Sequence, residues 1–193
     1  MKQALPQTVP LPWETERLQL REWGTQDAPW VFQLNEDPEV IRYTGDKSFN
    51  SMDEAVKLLR SYHNYKEHGF GRWAVTLKHT HKPIGWCGLK QNDWGVDLGF
   101  RFFREHWGKG YATEAAQASL HIAQQLKLEK VWGRTLVQNQ ASLRVLEKIG
   151  MSLVQHVPFA TFARDHNVSS EELDLWKEEV IALYAMELTE SEG

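Results

Sequence analysis

The stretch Phe100-Arg-Phe-Phe-Arg-Glu-His-Trp-Gly-Lys-Gly-Tyr-Ala-Thr-Glu-Ala115 decides how this chain folds. On its upstream side Val96, Leu98, Phe100 and Phe102 alternate with Asp97, Gly99 and Arg101, the two-residue period of a strand with one apolar face. On its downstream side, from about Lys109 to Leu126, Ala112, Ala115, Ala116, Ser119 and Ala123 recur at helical spacing, and such small side chains suit a helix packed closely on a sheet. Gly108 and Gly110 mark the corner between them and allow the backbone to come close to a ligand. A strand that turns on glycine into a helix start presents unpaired amides at the positive end of the helix dipole. That arrangement holds phosphate without a metal or a basic patch.

The rest of the chain builds outward from this corner. Arg17–Glu22 alternates as a strand, and Thr25 or Asp27 caps a short helix that Asp37-Pro38 ends. Ser51 opens a helix with Met52, Ala55, Val56, Leu59 and Tyr62 on one face, closed by His68-Gly69. Strands are predicted over 70–77, 83–89, 96–103, 131–137, 151–157 and 180–188, with a helix over 140–149 that Gly150 terminates. Residues 1–13, with prolines at 6, 10 and 12, read as an extended lead-in. Residues 161–177 read as a polar, solvated insertion before the last strand, with a helix start at Ser169-Ser170-Glu171-Glu172. The expected architecture is a single α/β domain over 14–190 with a mixed sheet.

Composition narrows the function. The chain has 193 residues, one domain's worth, with 41% hydrophobic and 25% charged residues, as in an ordinary globular protein. Its formal net charge of −4 argues against general nucleic-acid binding, which needs a basic footprint. The longest apolar run, Val180 to Met186, is far short of the roughly 20 residues of a membrane span. The N-terminus lacks the apolar core of a signal peptide, so a cytoplasmic location is expected. One cysteine, Cys87, excludes an internal disulfide framework and reads as a small buried hydrophobe. The eight histidines show no zinc spacing, so no metal is expected and surface histidine is the better reading.

Two nucleotide motifs fail at the glycine corner. Lys109 is followed by Gly110, where a Walker loop needs Ser or Thr, and Thr113 stands where a dinucleotide fingerprint needs its third glycine. Three other segments match together and in order. Trp107-Gly-Lys-Gly-Tyr-Ala-Thr-Glu-Ala115 resembles the acyl-CoA pyrophosphate loop of the GCN5-related N-acetyltransferase (GNAT) superfamily. Asn139-Gln-Ala-Ser-Leu-Arg-Val-Leu-Glu-Lys-Ile-Gly-Met151 is similar to the segment Asn-x-x-Ser-x-x-x-x-Glu-Lys-x-Gly-Phe of its branch that acetylates ribosomal-protein N-termini. Asp97-Leu-Gly-Phe-Arg-Phe102 resembles that branch's Glu-Ile-Gly-Tyr-Trp-Leu strand, and Glu14–Arg21 resembles its first strand.

The resemblance implies a mixed, mostly antiparallel splayed sheet flanked by helices. Acetyl-CoA would lie, as acyl donor, in the gap between the strands at 96–103 and 131–137. It implies that the backbone of Phe100 and Phe102 pairs with pantetheine and that amides of Gly108, Lys109, Gly110, Tyr111, Ala112 and Thr113 hold the pyrophosphate. Asn139 would bond pantetheine and Ser142 would lie near the sulfur. The acceptor is a primary amine, of a protein N-terminus such as a ribosomal protein's or of a small molecule, attacking directly in a ternary complex. A neutral amine needs a base. Asp97 is the candidate, one methylene shorter than the family's glutamate, so a water relay fits better than direct contact. The family's general-acid tyrosine is missing, with Leu146 at about its place, which leaves Ser142 or no acid at all. Tyr43 and Phe49, in the loop resembling the family's acceptor loop, are the substrate-contact candidates. A non-catalytic acyl-CoA-binding module is the reading from a different class, and the chain is expected as a monomer or homodimer.

Plainer readings compete residue by residue. Asn139 is also a favoured helix cap, and Ser142 an ordinary first-turn serine. Asp97 also reads as a solvated strand residue. Glu114 reads as an acid placed well for the helix dipole rather than a base. Trp30, Tyr43 and Trp94 line either the cleft or the core.

Overall fold

The computed structural model describes residues 10–188. Eight strands make one sheet: β1 (Trp13–Glu14), β2 (Leu18–Arg21), β3 (Arg72–Leu77), β4 (Pro83–Asn92), β5 (Gly95–Phe102), β6 (Lys130–Leu136), β7 (Ser152–Pro158) and β8 (Val180–Glu187), in the order β1-β2-β3-β4-β5-β6-β8-β7. Every neighbouring pair is antiparallel except β5 and β6, which run parallel. Parallel neighbours need a crossover. Here α5 (Tyr111–Gln125) supplies it, and its buried Ala115, Ala116, Ala118, Ser119 and Ala123 let it lie close on the sheet. Cys87 of β4 faces Ser119 of this helix with Sγ and Oγ 3.5 Å apart.

The parallel pairing is short. Only Asp97↔Trp132 and Leu98↔Gly133 are in register, and beyond them β5 and β6 separate. β5 keeps its other neighbour to the end, since the Phe103 amide donates to the Ile84 carbonyl at 3.0 Å. Backbone groups of alternate residues point to opposite edges. The groups of Phe100 and Phe102 therefore face the opened gap. β6 remains paired with β8 up to Leu136↔Ile181. The sheet is thus splayed, mixed and mostly antiparallel, as the resemblance implied.

On the other face lie α1 (Ala28–Glu36), α2 (Pro38–Ile41) and α3 (Met52–Arg60), whose Trp30, Val31, Leu34, Val40, Ala55 and Leu59 form a second apolar cluster with Ala74. Asp27 ties this layer to β2. Its carboxylate accepts from Arg21 at 2.7 and 2.9 Å, from the Gly24 amide and from the Trp30 indole. Burial opposes its ionisation, but these donors prevail and hold it below the usual carboxylate range.

Two expectations need correction. The helix predicted from 51 to 68 is broken: α3 stops at Arg60 and a short α4 (Asn64–His68) follows, closed by Gly69 at φ 78°. The break brings both Tyr62 and Tyr65 onto Arg72, whose amide donates to the Tyr62 hydroxyl while the Tyr65 hydroxyl donates to its carbonyl. The insertion at 161–177 is not simply solvated. It forms α7 (Phe159–Asp165) and α8 (Ser170–Trp176), and Phe159, Phe162 and Trp176 are buried in a third cluster with Leu136, Ile181 and Leu183. The helix start at Ser169 is present, its hydroxyl accepting from the Glu172 amide at 3.1 Å. The lead-in over 1–13 falls mostly outside the described residues, and Trp13 already pairs with Leu20.

Candidate active site

The gap between β5 and β6 opens into a cavity of about 480 Å³. One wall is the edge of β5 at Phe100 and Phe102; the opposite wall is the start of α6 (Gln140–Lys148), with Asn139 and Ser142. Its floor is the glycine corner, where Gly108, Gly110, Tyr111, Ala112 and Thr113 line the space. Gly108 has φ 73° and Gly110 φ 81°, a region that disfavours any side chain. Nothing lies within 4 Å of where a Cβ on Gly108 would be, so the backbone here is bare toward the cavity. The first helical bond runs from the Glu114 amide to the Gly110 carbonyl at 3.0 Å, so the amides of Tyr111, Ala112 and Thr113 have no intrahelical acceptor. An anion of phosphate size finds donors and a favourable dipole there.

The corner is clamped from behind. The Glu114 carboxylate accepts from Thr15 Oγ1 at 2.6 Å, the Arg17 amide at 2.9 Å and Arg17 Nε at 2.6 Å. Arg17 also donates to the Lys109 carbonyl at 3.0 Å and covers the Tyr111 ring at 4.6 Å. Burial raises the Glu114 pKa, but the bonds from Thr15 and Arg17 outweigh it and leave the carboxyl below its ordinary range. Lys109 itself is not among the cavity-lining residues. Trp107 donates its indole N–H to the Phe102 carbonyl at 2.8 Å. That bond occupies one acceptor of the free strand edge.

The other predicted residues divide. Asn139 Oδ1 caps α6 by accepting from the Ser142 amide at 3.2 Å, so its cap role and its place on the cavity wall coexist. Tyr43 lines the cavity with Glu39, Val40 and Thr44. Phe49 does not; it packs on the cluster around Trp30 and Leu34. Nor is Asp97 part of the lining. It lies on the first of the two paired rungs, one residue before the last, and both its oxygens are engaged: Oδ2 accepts from Arg72 at 2.8 Å and Oδ1 from Asn92 at 2.7 Å. Of the tryptophans and tyrosine left open, Trp30 is core and Trp94 packs on the third cluster.

Three residues escaped the sequence reading. Arg101, nearly buried, joins Asn35 of α1 to Asp46. Arg134 of β6 pairs with Glu172 of α8 at 2.6 Å, its guanidinium 5.1 to 5.7 Å from the ring centres of Trp94, Phe159, Phe162 and Trp176. Burial pushes the Glu172 carboxyl up, against the pull of Arg134, and Asp46 adds to the rise. Glu172 also packs on Gly45, where a Cβ would meet its Cγ at 2.8 Å. The third is His106, nine-tenths buried at the cavity edge. Arginines and acids this far apart in sequence carry no local signal of their pairing. His106 sits inside the quoted stretch and was grouped with surface histidines.

Residues 17–152 match the family model of the acetyltransferase (GNAT) domain. This chain belongs to the GNAT acetyltransferase family. It is an N-acetyltransferase that uses acetyl-CoA as acyl donor. It is 30% identical over 142 residues to the uncharacterized N-acetyltransferase YoaA of Bacillus subtilis, spanning 71% of this chain and 80% of that one. Its fold is similar to that of the ribosomal-protein-S5-alanine acetyltransferase from Vibrio fischeri, with TM-score 0.74 at 17% identity over 94% of this chain and 98% of the other. It is similar also to spermidine N-acetyltransferase from Vibrio cholerae in complex with CoA and spermine, with TM-score 0.71 at 17% identity over 90% and 97%. Among the described residues no helix is long and apolar enough to cross a membrane, and no group of three or more His, Cys, Asp or Glu side chains is placed to hold a metal.

Proposed function

We propose that this enzyme acetylates a primary amine by direct attack on acetyl-CoA laid along the β5 edge. The observation that carries the reading is the single cavity in which a free strand edge and unpaired loop amides meet, with Tyr43 and Thr44 at its other end. The diphosphate lies against the amides of residues 108–113, and pantetheine runs along Phe100 and Phe102 toward Asn139. A backbone N–H of this strand edge donates to the oxyanion of the tetrahedral intermediate. Attack of the neutral amine forms the C–N bond, and collapse of the intermediate then breaks the C–S bond and releases the thiolate. Ser142, whose amide is held by the Asn139 cap, returns a proton to the thiolate. With a thiol pKa near 8.5 the leaving group asks little of that acid.

The amine must lose a proton before attack. Asp97, with both oxygens engaged, is proposed as a positioning residue. Its carboxylate fixes Arg72, which also bonds the carbonyls of Gly88 and Asp97 and so pins β4 and β5 where the splay begins. The amine proton leaves through water in the cleft. α8 braces the 43–47 loop, whose Tyr43 and Thr44 line the cavity, through Glu172 on Gly45 and an ion pair of Lys47 with Glu171 at 3.7 Å. An extended protein N-terminus, such as a ribosomal protein's, is the first reading, supported by the likeness to the S5-alanine enzyme. A free small amine is the second, supported by the likeness to the spermidine enzyme.

The test incubates the enzyme with acetyl-CoA and a panel of N-terminal peptides and free amines, following released thiol. Turnover on one class assigns the acceptor. CoA binding with no turnover on any amine overturns the reading in favour of an acyl-CoA-binding module. Asp97→Asn separates the two roles for this carboxylate. A positioning role predicts a lower melting temperature with the wild-type pH profile of kcat retained. A loss of roughly 100-fold in kcat with the profile's acidic limb gone, at unchanged melting temperature, assigns Asp97 as the base instead.

A further inference from the structure

Where the backbones of β5 and β6 separate, side chains on one face of the sheet still connect them. Alternation from the Asp97↔Trp132 rung puts Arg101 of β5 and Arg134 of β6 on the same face as Asp97. Arg101 donates to the Asp46 carboxylate, and Arg134 donates to Glu172 at 2.6 Å. Gly45, next to Asp46 in the chain, lies against the Glu172 stem, where an added Cβ would meet Cγ at 2.8 Å. The loop over 43–47 is therefore tied to β5 by its own aspartate and to β6 through Glu172 and Arg134. Tyr43 and Thr44, just ahead of these two ties, line the cavity. Tyr43 also packs on the third cluster, the one that holds α7 and α8.

The Arg134–Glu172 pair is poorly built as a source of stability. Its side chains are 18% and 15% exposed, so both charges have given up most of their water. Arg134 Nη1 is buried without a hydrogen-bond partner among the described residues, and the Asp46 carboxylate works against the Glu172 charge. The desolvation of two charges offsets much of their attraction, so such a pair adds little net stability. What it does supply here is a fixed geometry. The rings of Trp94, Phe159, Phe162 and Trp176 surround the guanidinium and hold it in place.

We infer that Glu172 is a positioning residue for the amine acceptor: aimed by Arg134, its stem seats Gly45 and so sets the Tyr43–Thr44 wall of the cavity. Neither Glu172 nor Arg134 lines the cavity, so both act through the loop. The acyl-donor end is built from other parts, namely the β5 edge, the 108–113 corner and the start of α6. Loosening the pair is therefore felt by the amine and not by acetyl-CoA. The inference rests on the reading of the Tyr43–Thr44 end as the acceptor end.

The test measures initial rates with amine and acetyl-CoA varied in turn, and amide hydrogen exchange over residues 43–47, for wild type, Glu172→Ala, Glu172→Gln and Gly45→Ala. In Glu172→Ala, KM for the amine is expected to rise roughly tenfold, with kcat and KM for acetyl-CoA within about twofold of wild type. Exchange over 43–47 quickens, and exchange over 108–113 stays as in wild type. Glu172→Gln keeps the stem and an oxygen for Arg134, so its amine KM is expected within about threefold of wild type. Gly45→Ala leaves both charges in place, but its new Cβ meets Glu172 and its φ of 72° disfavours any side chain. It is expected to repeat the effect of Glu172→Ala even if that variant fails to fold. A lower melting temperature with both KM values unchanged marks a merely structural role and overturns the inference. So does a Glu172→Gln variant as impaired as Glu172→Ala, or an equal rise in both KM values. Wild type that turns over no amine overturns the acceptor reading instead. Exchange then judges the brace alone, and unchanged exchange over 43–47 in Glu172→Ala and Gly45→Ala overturns that too.

Discussion

Replacing Glu114 by alanine tests how the phosphate-facing corner is built. The carboxylate holds three donors, all from Thr15 and Arg17, at 2.6 to 2.9 Å. Hydrogen bonds to a charged group contribute about 1.5–3 kcal/mol each when their donors have no alternative. Here the Arg17 side chain is 42% exposed and regains water, so its share is small, while the Glu114 side chain is 17% exposed. The cost falls on the Thr15 hydroxyl and the Arg17 amide, and sums to about 2–3 kcal/mol. At about 2–4 °C per kcal/mol for a protein of this size, melting should drop by about 5–10 °C. Arg17 also loses the partner that aims it at the Lys109 carbonyl, so the corner loosens and KM for acetyl-CoA should rise about threefold to tenfold with kcat nearly unchanged. The effect carries a pH signature. The folded carboxyl titrates below its unfolded value of 4.5, so its stabilisation is complete above that pH and fades as pH falls through the lower folded value. The gap between wild type and Glu114→Ala should be full at pH 7 and narrow below about pH 4.5. Thermal melts and steady-state kinetics measure all three. A variant that melts within about 1 °C of wild type at pH 7 and keeps its KM would refute the clamp.

Two further predictions concern the interior. Burial pushes the Cys87 thiol up to about 12, against a bond with Ser119. A disulfide-exchange reagent at pH 8 should therefore leave Cys87 untouched in native protein and titrate one thiol in denaturant; rapid native labelling would show the β4–α5 contact to be open. Phe159 is fully buried in the cluster that carries α7 and α8. Phe159→Ala should cost about 3–5 kcal/mol, read by denaturant unfolding, and a change under about 1 kcal/mol would mean that the insertion is not part of the core.

Local sequence was a sound guide where a signal is local. The alternation through Val96–Phe102, the glycines at 108 and 110 and the small-residue face of the following helix were each readable within a few residues, because strand pleat, positive φ and close helix packing are set by neighbours. The cap at Asn139 and the helix start at Ser169 were legible for the same reason. Residues 161–177 misled because polar side chains outnumber the aromatic ones, yet Phe162 and Trp176, with Phe159 just ahead of them, hold the segment down.

What the amino-acid order determined alone was most of the strands, the crossover helix, the glycine corner and its capacity for an anion, and through three linked motifs the family. Tertiary structure decided which of the named side chains meet. Asp97 was taken up by Arg72, 25 residues away, and Phe49 went to a helical cluster, while Arg134 and Glu172 paired among the rings of the third cluster and His106 was brought to the cavity edge. The reason is physical. Whether a carboxylate faces a substrate or an arginine depends on which side chains neighbouring strands bring to its face of the sheet, and Arg72 reaches Asp97 from β3, two strands away.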